Sequence, residues 1–453
     1  MADESDKQLR PPMASQHLPI ESALSRGGVP HRRWLIAGLL GFGVLVNYFD
    51  RVNLSVAKEA LTKDFHITNV GFGYLLTAYN WTYAALQLPT GVMLDRLGVQ
   101  IVGRLSALIW ALACFGAAFS PGIKTFFASR LLLGIGEAPT FPANSKAIGY
   151  WFPRQERSFA TALFDSAAKF GTAIGTPAIG IVLIHFGWRF AFTSTGVASF
   201  LFFLAFWFLY RDPRADPRLS SEERNYIETG GAVEVSQNRD SGASLLYLFK
   251  QRKVLGLALG FAAYNYCFYL LLTWLPSYFT GALHLNLETS VMYTSVPWFF
   301  ATATDLLVGG WLVDALVRRK FNDSTARRSI LIGGMVLGLA ILGANLTNSP
   351  KVAMWWISLS IGGLAASAPV SWSIPALIAP RDSVGKVGGI MNFANQIAAI
   401  AAPIATGYLV GSADNYSRAF EAAAAVILIG TLAYAFLLGT IEPVPEPSRT
   451  DAA

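Results

Sequence analysis

The sequence predicts an all-α membrane protein of twelve transmembrane helices in two six-helix bundles, with both termini cytoplasmic. Three observations lead there. Of 453 residues, 53% are hydrophobic and only 14% charged, against roughly 25% charged in a soluble domain. Mean hydropathy is +0.43, and apolar runs long enough to cross a bilayer recur along the chain. Basic residues gather in alternate loops, the pattern expected of cytoplasmic segments.

Taken in order, apolar runs punctuated by Gly, Pro and charge place the first six spans at 34–57, 70–90, 100–120, 124–147, 158–183 and 189–210. The second six fall at 254–279, 289–316, 329–347, 352–378, 385–409 and 417–440. The domain organisation follows: a cytoplasmic tail at 1–33, a bundle at 34–210, a cytoplasmic central loop at 211–253, a second bundle at 254–440 and a cytoplasmic tail at 441–453. The central loop carries Arg211, Arg214, Arg218, Arg224, Arg239, Lys250, Arg252 and Lys253, which places it inside. The outer loops keep only Lys58, Lys63, Lys124, Arg189, Lys351 and Arg418. The tail at 1–33 lacks the apolar core of a signal peptide. Cytoplasmic loops therefore suffice to explain the net charge of +7 without a nucleic-acid partner. Cys114 and Cys267 both sit in apolar runs and imply no disulfide framework.

An internal repeat supports two related bundles. Gly91-Val-Met-Leu-Asp95-Arg96-Leu-Gly98 follows the second span, and Gly310-Trp-Leu-Val-Asp314 follows the eighth, about half the chain later. Such halves enclosing a midplane site are a standard transporter plan. Asp95, Arg96 and Asp314 are then gate or interdomain contacts at the cytoplasmic face.

Ionisable groups within spans are costly and need a partner, a cavity or a function. Asp50 and Arg51 lie in the first span, Arg130, Glu137 and Lys146 in the fourth, Asp165 and Lys169 in the fifth and Asp305 in the eighth. At about 1.5 Å of rise per residue, Glu137 lies about 10 Å from Arg130 along one face, too far for a direct bond. Each therefore pairs with another span or a ligand. Adjacent Asp50 and Arg51 point about 100 degrees apart, which would let Asp50 face Arg130 while Arg51 faces Glu137 or a ligand. A carboxyl and an arginine so placed link protonation to anion occupancy. Packed salt bridges between the first and fourth spans are the alternative. Lys146 snorkels at the cytoplasmic rim, and Asp165 with Lys169 forms an i, i+4 pair serving structure or function alike.

The second bundle is mostly neutral inside. Tyr264, Asn265 and Tyr269 lie in the seventh span, Ser371 and Trp372 in the tenth, Asn392 and Asn395 in the eleventh. Tyr79, Tyr83 and Gln87 share one face of the second span. Tyrosine and amide side chains read hydroxyl groups without charge, so these residues are expected to line a substrate cavity.

These residues resemble the major facilitator superfamily, and within it the anion:cation symporter group of bacterial galactonate, hexuronate, glucarate, tartrate and phthalate permeases. The marks are Asn47-Tyr-Phe-Asp50-Arg51-Val-Asn53-Leu-Ser55, Tyr83 to Pro89, the Gly91 to Gly98 segment and Arg130-Leu-Leu-Leu-Gly134-Ile-Gly136-Glu137-Ala-Pro139. The resemblance implies the major facilitator fold and alternating access. It implies Asp50 and Glu137 as proton-handling groups, Arg51 and Arg130 acting on the substrate carboxylate or its coupling, and Tyr83, Ser371, Trp372 and Asn392 near a sugar-acid chain. Two features depart from it. Lys169 stands where galactonate-type permeases have glutamine, and a second cation there would read a second carboxylate and favour an aldarate or other dicarboxylate. Asp305 is the other, with a pair to Lys169, a cytoplasmic gate and a second proton site as its possible roles.

The expected function is proton-coupled symport of an organic anion, most often a sugar acid, at a bacterial inner membrane. Proton-independent exchange or facilitated passage of a dicarboxylate or aromatic carboxylate is the alternative. The expected partners are the anion, protons and the lipid bilayer; the chain is expected to act as a monomer, with no cofactor beyond the proton gradient and no metal. No catalytic constellation suggests an enzyme.

Overall fold

The computed structural model describes residues 31–153, 156–232, 243–319, 321–380, 383–411 and 414–446. Every regular element among them is helical. Most of the expected tail at 1–33 lies outside the described residues. Among the described residues, eight helices are long and apolar enough to cross a membrane.

In the first half of the chain, α1 (Arg32–Val56) leads through the short α2 (Lys58–Phe65) to α3 (Asn69–Ala118). Thr68 starts α3 by accepting the Gly71 amide at 3.1 Å, a polar cap on otherwise unpaired donors. The segment from Gly91 to Leu97, expected as a loop, is helical, and the chain breaks only at Gly98, with φ 77° and ψ 167°. That left-handed conformation is open to glycine at little cost. Gly187, φ 81°, likewise divides α6 (Arg157–Leu209). The fourth span, expected as one helix, is two: α4 (Ile123–Glu137) and α5 (Thr140–Trp151). Pro139 between them lacks the amide that would continue the ladder, leaving Glu137 as the last residue of α4.

Two short helices, α7 (Ser221–Thr229) and α8 (Leu245–Lys250), lie in the central stretch. In the second half follow α9 (Arg252–Ser277), α10 (Leu287–Thr304), α11 (Val313–Arg318), α12 (Asp323–Gly338), α13 (Pro350–Ser373), α14 (Pro375–Ile378), α15 (Val384–Val410) and α16 (Ser417–Leu432). The backbone widens to π-helix at Tyr278–Ala282, Asp305–Leu312 and Ala433–Leu438. The Gly310 to Asp314 segment is thus helical too. Residues 352–378, expected as one span, bend at Ile374 before Pro375. After α16 the chain folds back: the Ile441 amide donates to Ser324 and the Val444 amide to the Ile378 carbonyl, each at 2.8 Å.

Within the first half α1 packs on α6 and α3 on α4 and α6; within the second, α9 packs on α15 and α16, and α13 on α10 and α12. The halves meet through α1 with α9, α3 with α15 and α6 with α10. Polar contacts cluster at one end of these seams. Ser55 donates to the Thr273 carbonyl at 2.5 Å and Trp274 to the Pro403 carbonyl at 3.2 Å. Lys58 lies 3.6 Å from Asp414, and Asn69 donates to Asp414 at 3.1 Å. Gly73 runs against the Pro403 carbonyl and Gly407 against the Asn69 carbonyl, positions where a Cβ would collide with backbone. Small residues allow helix axes this close. From that end the contacts between halves continue to Lys169 and Asp305.

A charged collar binds the start of α1 to its own half. Arg33 donates to Glu156 at 2.7 Å and to Glu223 at 3.0 Å, while Tyr226 donates to Glu156 at 2.8 Å. Glu223 is fully buried, so Arg33 supplies the countercharge that its burial demands.

Candidate functional site

The site forms where α1 faces α4, and charge is its organising feature. Arg51 and Glu137, both buried, form an ion pair with Nη2 to Oε2 at 3.2 Å. Three tyrosine rings surround the guanidinium: Tyr48 at 4.8 Å, Tyr79 at 5.1 Å and Tyr83 at 5.9 Å from its centre. Ring faces attract a cation without occupying its N–H groups. Arg51 Nε and Glu137 Oε1 are buried and have no hydrogen-bond partner, so the pair keeps donor and acceptor capacity in reserve.

Asp50 turns the other way. Its Oδ2 accepts from the Trp110 indole at 2.5 Å and from Ser199 at 3.1 Å. Arg130 extends between Phe126 and Phe192, 5.5 and 5.3 Å from their ring centres. Its Nε and Nη2 and Asp50 Oδ1 are buried without hydrogen-bond partners. Of the two pairings open in the sequence, Arg51 with Glu137 is formed; Asp50 is held by Trp110 and Ser199 instead. Neither Trp110 nor Ser199 is among the residues that the sequence singles out. A lone indole donor inside the apolar third span was the available signal for Trp110, because a buried Trp N–H usually finds a partner.

A second charged cluster lies between the halves. Lys169 Nζ is 2.9 Å from Asp165 Oδ2, one turn away on α6, and 2.5 Å from Asp305 Oδ2 where α10 becomes π-helix. Lys169 and Asp305 are buried. Lys169, expected as a second cation for substrate, is thus already matched by two carboxylates. Of the named roles for Asp305, the geometry forms the pair with Lys169.

The remaining sequence candidates divide. Tyr264, Asn265 and Tyr269 are buried in α9, and Asn265 donates to the Phe261 carbonyl of its own helix at 2.9 Å. Asn395 donates to Asn392 at 3.2 Å. Gln87 reaches the Ala138 carbonyl at the break between α4 and α5, 3.4 Å away. Ser371 is engaged in packing: it accepts or donates with the Tyr434 hydroxyl at 2.8 Å and donates to the Ser367 carbonyl at 2.9 Å, and is 1% exposed. Trp372 is 48% exposed and meets Phe261 edge-on at 5.3 Å. Lys146 donates to the Leu94 carbonyl at 2.9 Å. Arg96 is exposed, whereas the side chains of Asp95 and Asp314 lie outside the described residues. No group of three metal-ligating side chains occurs among the described residues.

Residues 40–403 match the family model described as Major Facilitator Superfamily. The chain belongs to this superfamily. It is therefore a multi-pass membrane transporter and not an enzyme. Across 91% of its length it is 40% identical to an uncharacterized Bacillus subtilis transporter, YybO, covering 96% of that protein. Over the same share it is 32% identical to a protein named D-galactonate transporter from Escherichia coli strain CFT073, covering 97% of it. A probable galactarate/D-glucarate transporter, GarP, of Escherichia coli K12 is also 32% identical, with 91% and 96% coverage. The fold resembles that of a bacterial homologue of the lysosomal transporter Spinster, titled as inward-facing, with TM-score 0.72 and 17% identity over 91% of this chain and 98% of that one. A D-xylose-proton symporter matches at TM-score 0.69 and 18% identity, with the same coverages.

Proposed function

We propose that the protein is a proton-coupled symporter that carries a sugar-acid anion into a bacterial cell by alternating access. In this reading twelve spans form two bundles, 34–210 and 254–440, joined by 211–253, and both termini are cytoplasmic. The seam closed by Ser55, Lys58, Asn69 and Asp414 is then the outer face, and the site opens inward.

The observation that carries the proposal is the buried Arg51–Glu137 pair with its unfilled polar capacity. Ionised, Glu137 neutralises Arg51 and competes with any anion for it. Protonated, it releases the guanidinium, which a substrate carboxylate then meets in a bidentate, charge-assisted bond. Proton and anion thus favour each other's binding, the requirement for symport. Asp50, on the far side of α1 beside Arg130, is a second proton-handling group, gated from substrate by Trp110 and Ser199.

Sugar hydroxyls fall to the neutral groups: Tyr79, Tyr83 and Gln87 from the first half, Tyr264, Asn265, Tyr269, Asn392 and Asn395 from the second. The names of the relatives at 32% identity support a sugar acid as the anion. Asp95, Arg96 and Asp314 keep their gate assignment from the repeat. Uptake of labelled D-galactonate into proteoliposomes, with and without an alkaline interior, tests the proposal. Accumulation above the outer concentration that collapses with the pH gradient is expected; equal uptake without the gradient would favour exchange or facilitation.

A further inference from the structure

Two carboxylates converge on one ammonium in the middle of the protein, and this bears on how many acid groups the substrate carries. Lys169 stands 2.9 Å from Asp165 and 2.5 Å from Asp305. Asp165 is held by helical spacing, four residues earlier on α6. Asp305 comes from the other half, and beside the pair Phe170 meets Phe299, ring centres 6.4 Å apart. Tyr48 and Tyr264 are electrostatic neighbours of this cluster, and Tyr48 also faces Arg51. One tyrosine thus connects the two charged groups of the site.

The charges can be counted. Lys169 contributes one positive charge and its two partners contribute two negative ones, or one if they share a proton. In neither state is positive charge left over. Around α4, Arg130 is an electrostatic neighbour of Asp50 without an ion pair to it, and Arg51 is paired with Glu137 until Glu137 takes a proton. On the substrate side of α1 the surplus cation is therefore Arg51, and only once Glu137 is protonated; Arg130 lies on the far side with Asp50.

We infer that Asp305 is a specificity-determining residue that cancels Lys169 from across the two halves, so that the site accepts a sugar acid with one carboxylate and rejects one with a second carboxylate at its far end. This rests on the sugar-acid reading above. In this arrangement a terminal hydroxymethyl group would meet the hydroxyls of Tyr48 and Tyr264, the electrostatic neighbours of Lys169. A terminal carboxylate would lose its hydration there and meet two carboxylate side chains instead of a free cation, which disfavours it strongly.

D-Galactonate and galactarate make the test, because they share a carbon skeleton and differ in a hydroxymethyl against a carboxylate. Uptake of labelled D-galactonate by the full chain in proteoliposomes would be competed with unlabelled galactarate. Wild-type protein is expected to need at least about tenfold more galactarate than unlabelled galactonate for half inhibition, about 1.4 kcal/mol of discrimination. Asp305→Asn leaves Lys169 paired with Asp165 alone and should narrow the ratio, the double variant Asp165→Asn with Asp305→Asn, which frees Lys169, should bring the two within a few-fold of each other, and Asp305→Glu should restore the wild-type ratio. Asp165→Asn removes the other carboxylate and should narrow the ratio too, which keeps the test alive if Asp305→Asn does not fold. Galactarate competing as well as galactonate in wild-type protein would overturn the inference and leave the sugar-acid reading standing. An unchanged ratio in both asparagine variants would do the same. If neither acid is transported nor raises thermal stability in wild-type protein, the sugar-acid reading and this inference fall together.

Discussion

Replacing Glu137 by glutamine separates the two roles assigned to it. At 3.2 Å and an effective dielectric near 20, the attraction to Arg51 amounts to about 5 kcal/mol before desolvation is counted. Removing one member of a buried pair leaves the other charge uncompensated, at a typical cost of about 3–5 kcal/mol. The ligand-free variant should therefore unfold at a distinctly lower temperature than wild-type protein in the same detergent. D-Galactonate, by supplying a carboxylate to Arg51, should recover much of that loss, so its stabilising effect should be larger in the variant. The pH dependence follows with a definite sign. In the proposed mechanism a proton must reach Glu137 before Arg51 is free, so anion affinity should rise as pH falls. Glutamine mimics the protonated state, and affinity in Glu137→Gln should not follow pH. Thermal unfolding with graded galactonate at acidic and alkaline pH reads both effects. Retention of the wild-type pH dependence in Glu137→Gln, or of uphill acid-driven accumulation, would refute this reasoning.

Other consequences are open to measurement. Asp50→Asn should abolish accumulation driven by the pH gradient while preserving exchange of labelled for unlabelled substrate, checked by counterflow. Arg51→Lys keeps the charge but loses the bidentate fork, and should weaken galactonate binding by about tenfold or more, measured by competition. Gly134→Ala places a methyl group against the Tyr79 carbonyl and the Thr82 hydroxyl; forcing α3 and α4 apart should cost about 1–3 kcal/mol or more, seen as a lower unfolding temperature. At the collar, burial pushes the Glu156 carboxyl up, but hydrogen bonds from Arg33 and Tyr226 and the nearby positive charge outweigh it and hold the group below its ordinary value of 4.5. A depressed carboxyl stabilises above its unfolded value and ceases to do so as pH falls through the folded one. Stability should therefore decline below about pH 4.5, and Glu156→Gln should flatten that decline.

How far the site could be read from sequence depended on what was local. A charge inside an apolar run is conspicuous because lipid penalises it, so Asp50, Arg51, Arg130, Glu137, Lys169 and Asp305 all stood out. Spacing on one helix also told which pairs could not form, as with Arg130 and Glu137. What spacing did not supply was register between helices. That Asp305 reaches Lys169 depends on how α10 meets α6, and that Ser371 is taken by Tyr434 depends on α13 against the π-helical turn after α16. Neither pairing is written in a period of 3.6 residues. The helical Gly91–Leu97 segment was misread for a different reason: polar residues there signalled departure from lipid, and a helix continues into water until a residue such as Gly98 breaks it. The kink at Pro139, by contrast, is signalled by the missing amide but masked in the sequence by the apolar run that continues through it.

In the proposed mechanism proton and anion binding are coupled through Arg51 and Glu137. D-Galactonate accumulation in proteoliposomes across an imposed pH gradient, wild type beside Glu137→Gln, measures that coupling. Uphill accumulation in wild-type vesicles, abolished by a protonophore and missing in the variant while exchange persists, is the predicted result. Gradient-driven accumulation of equal size in both proteins would contradict the account.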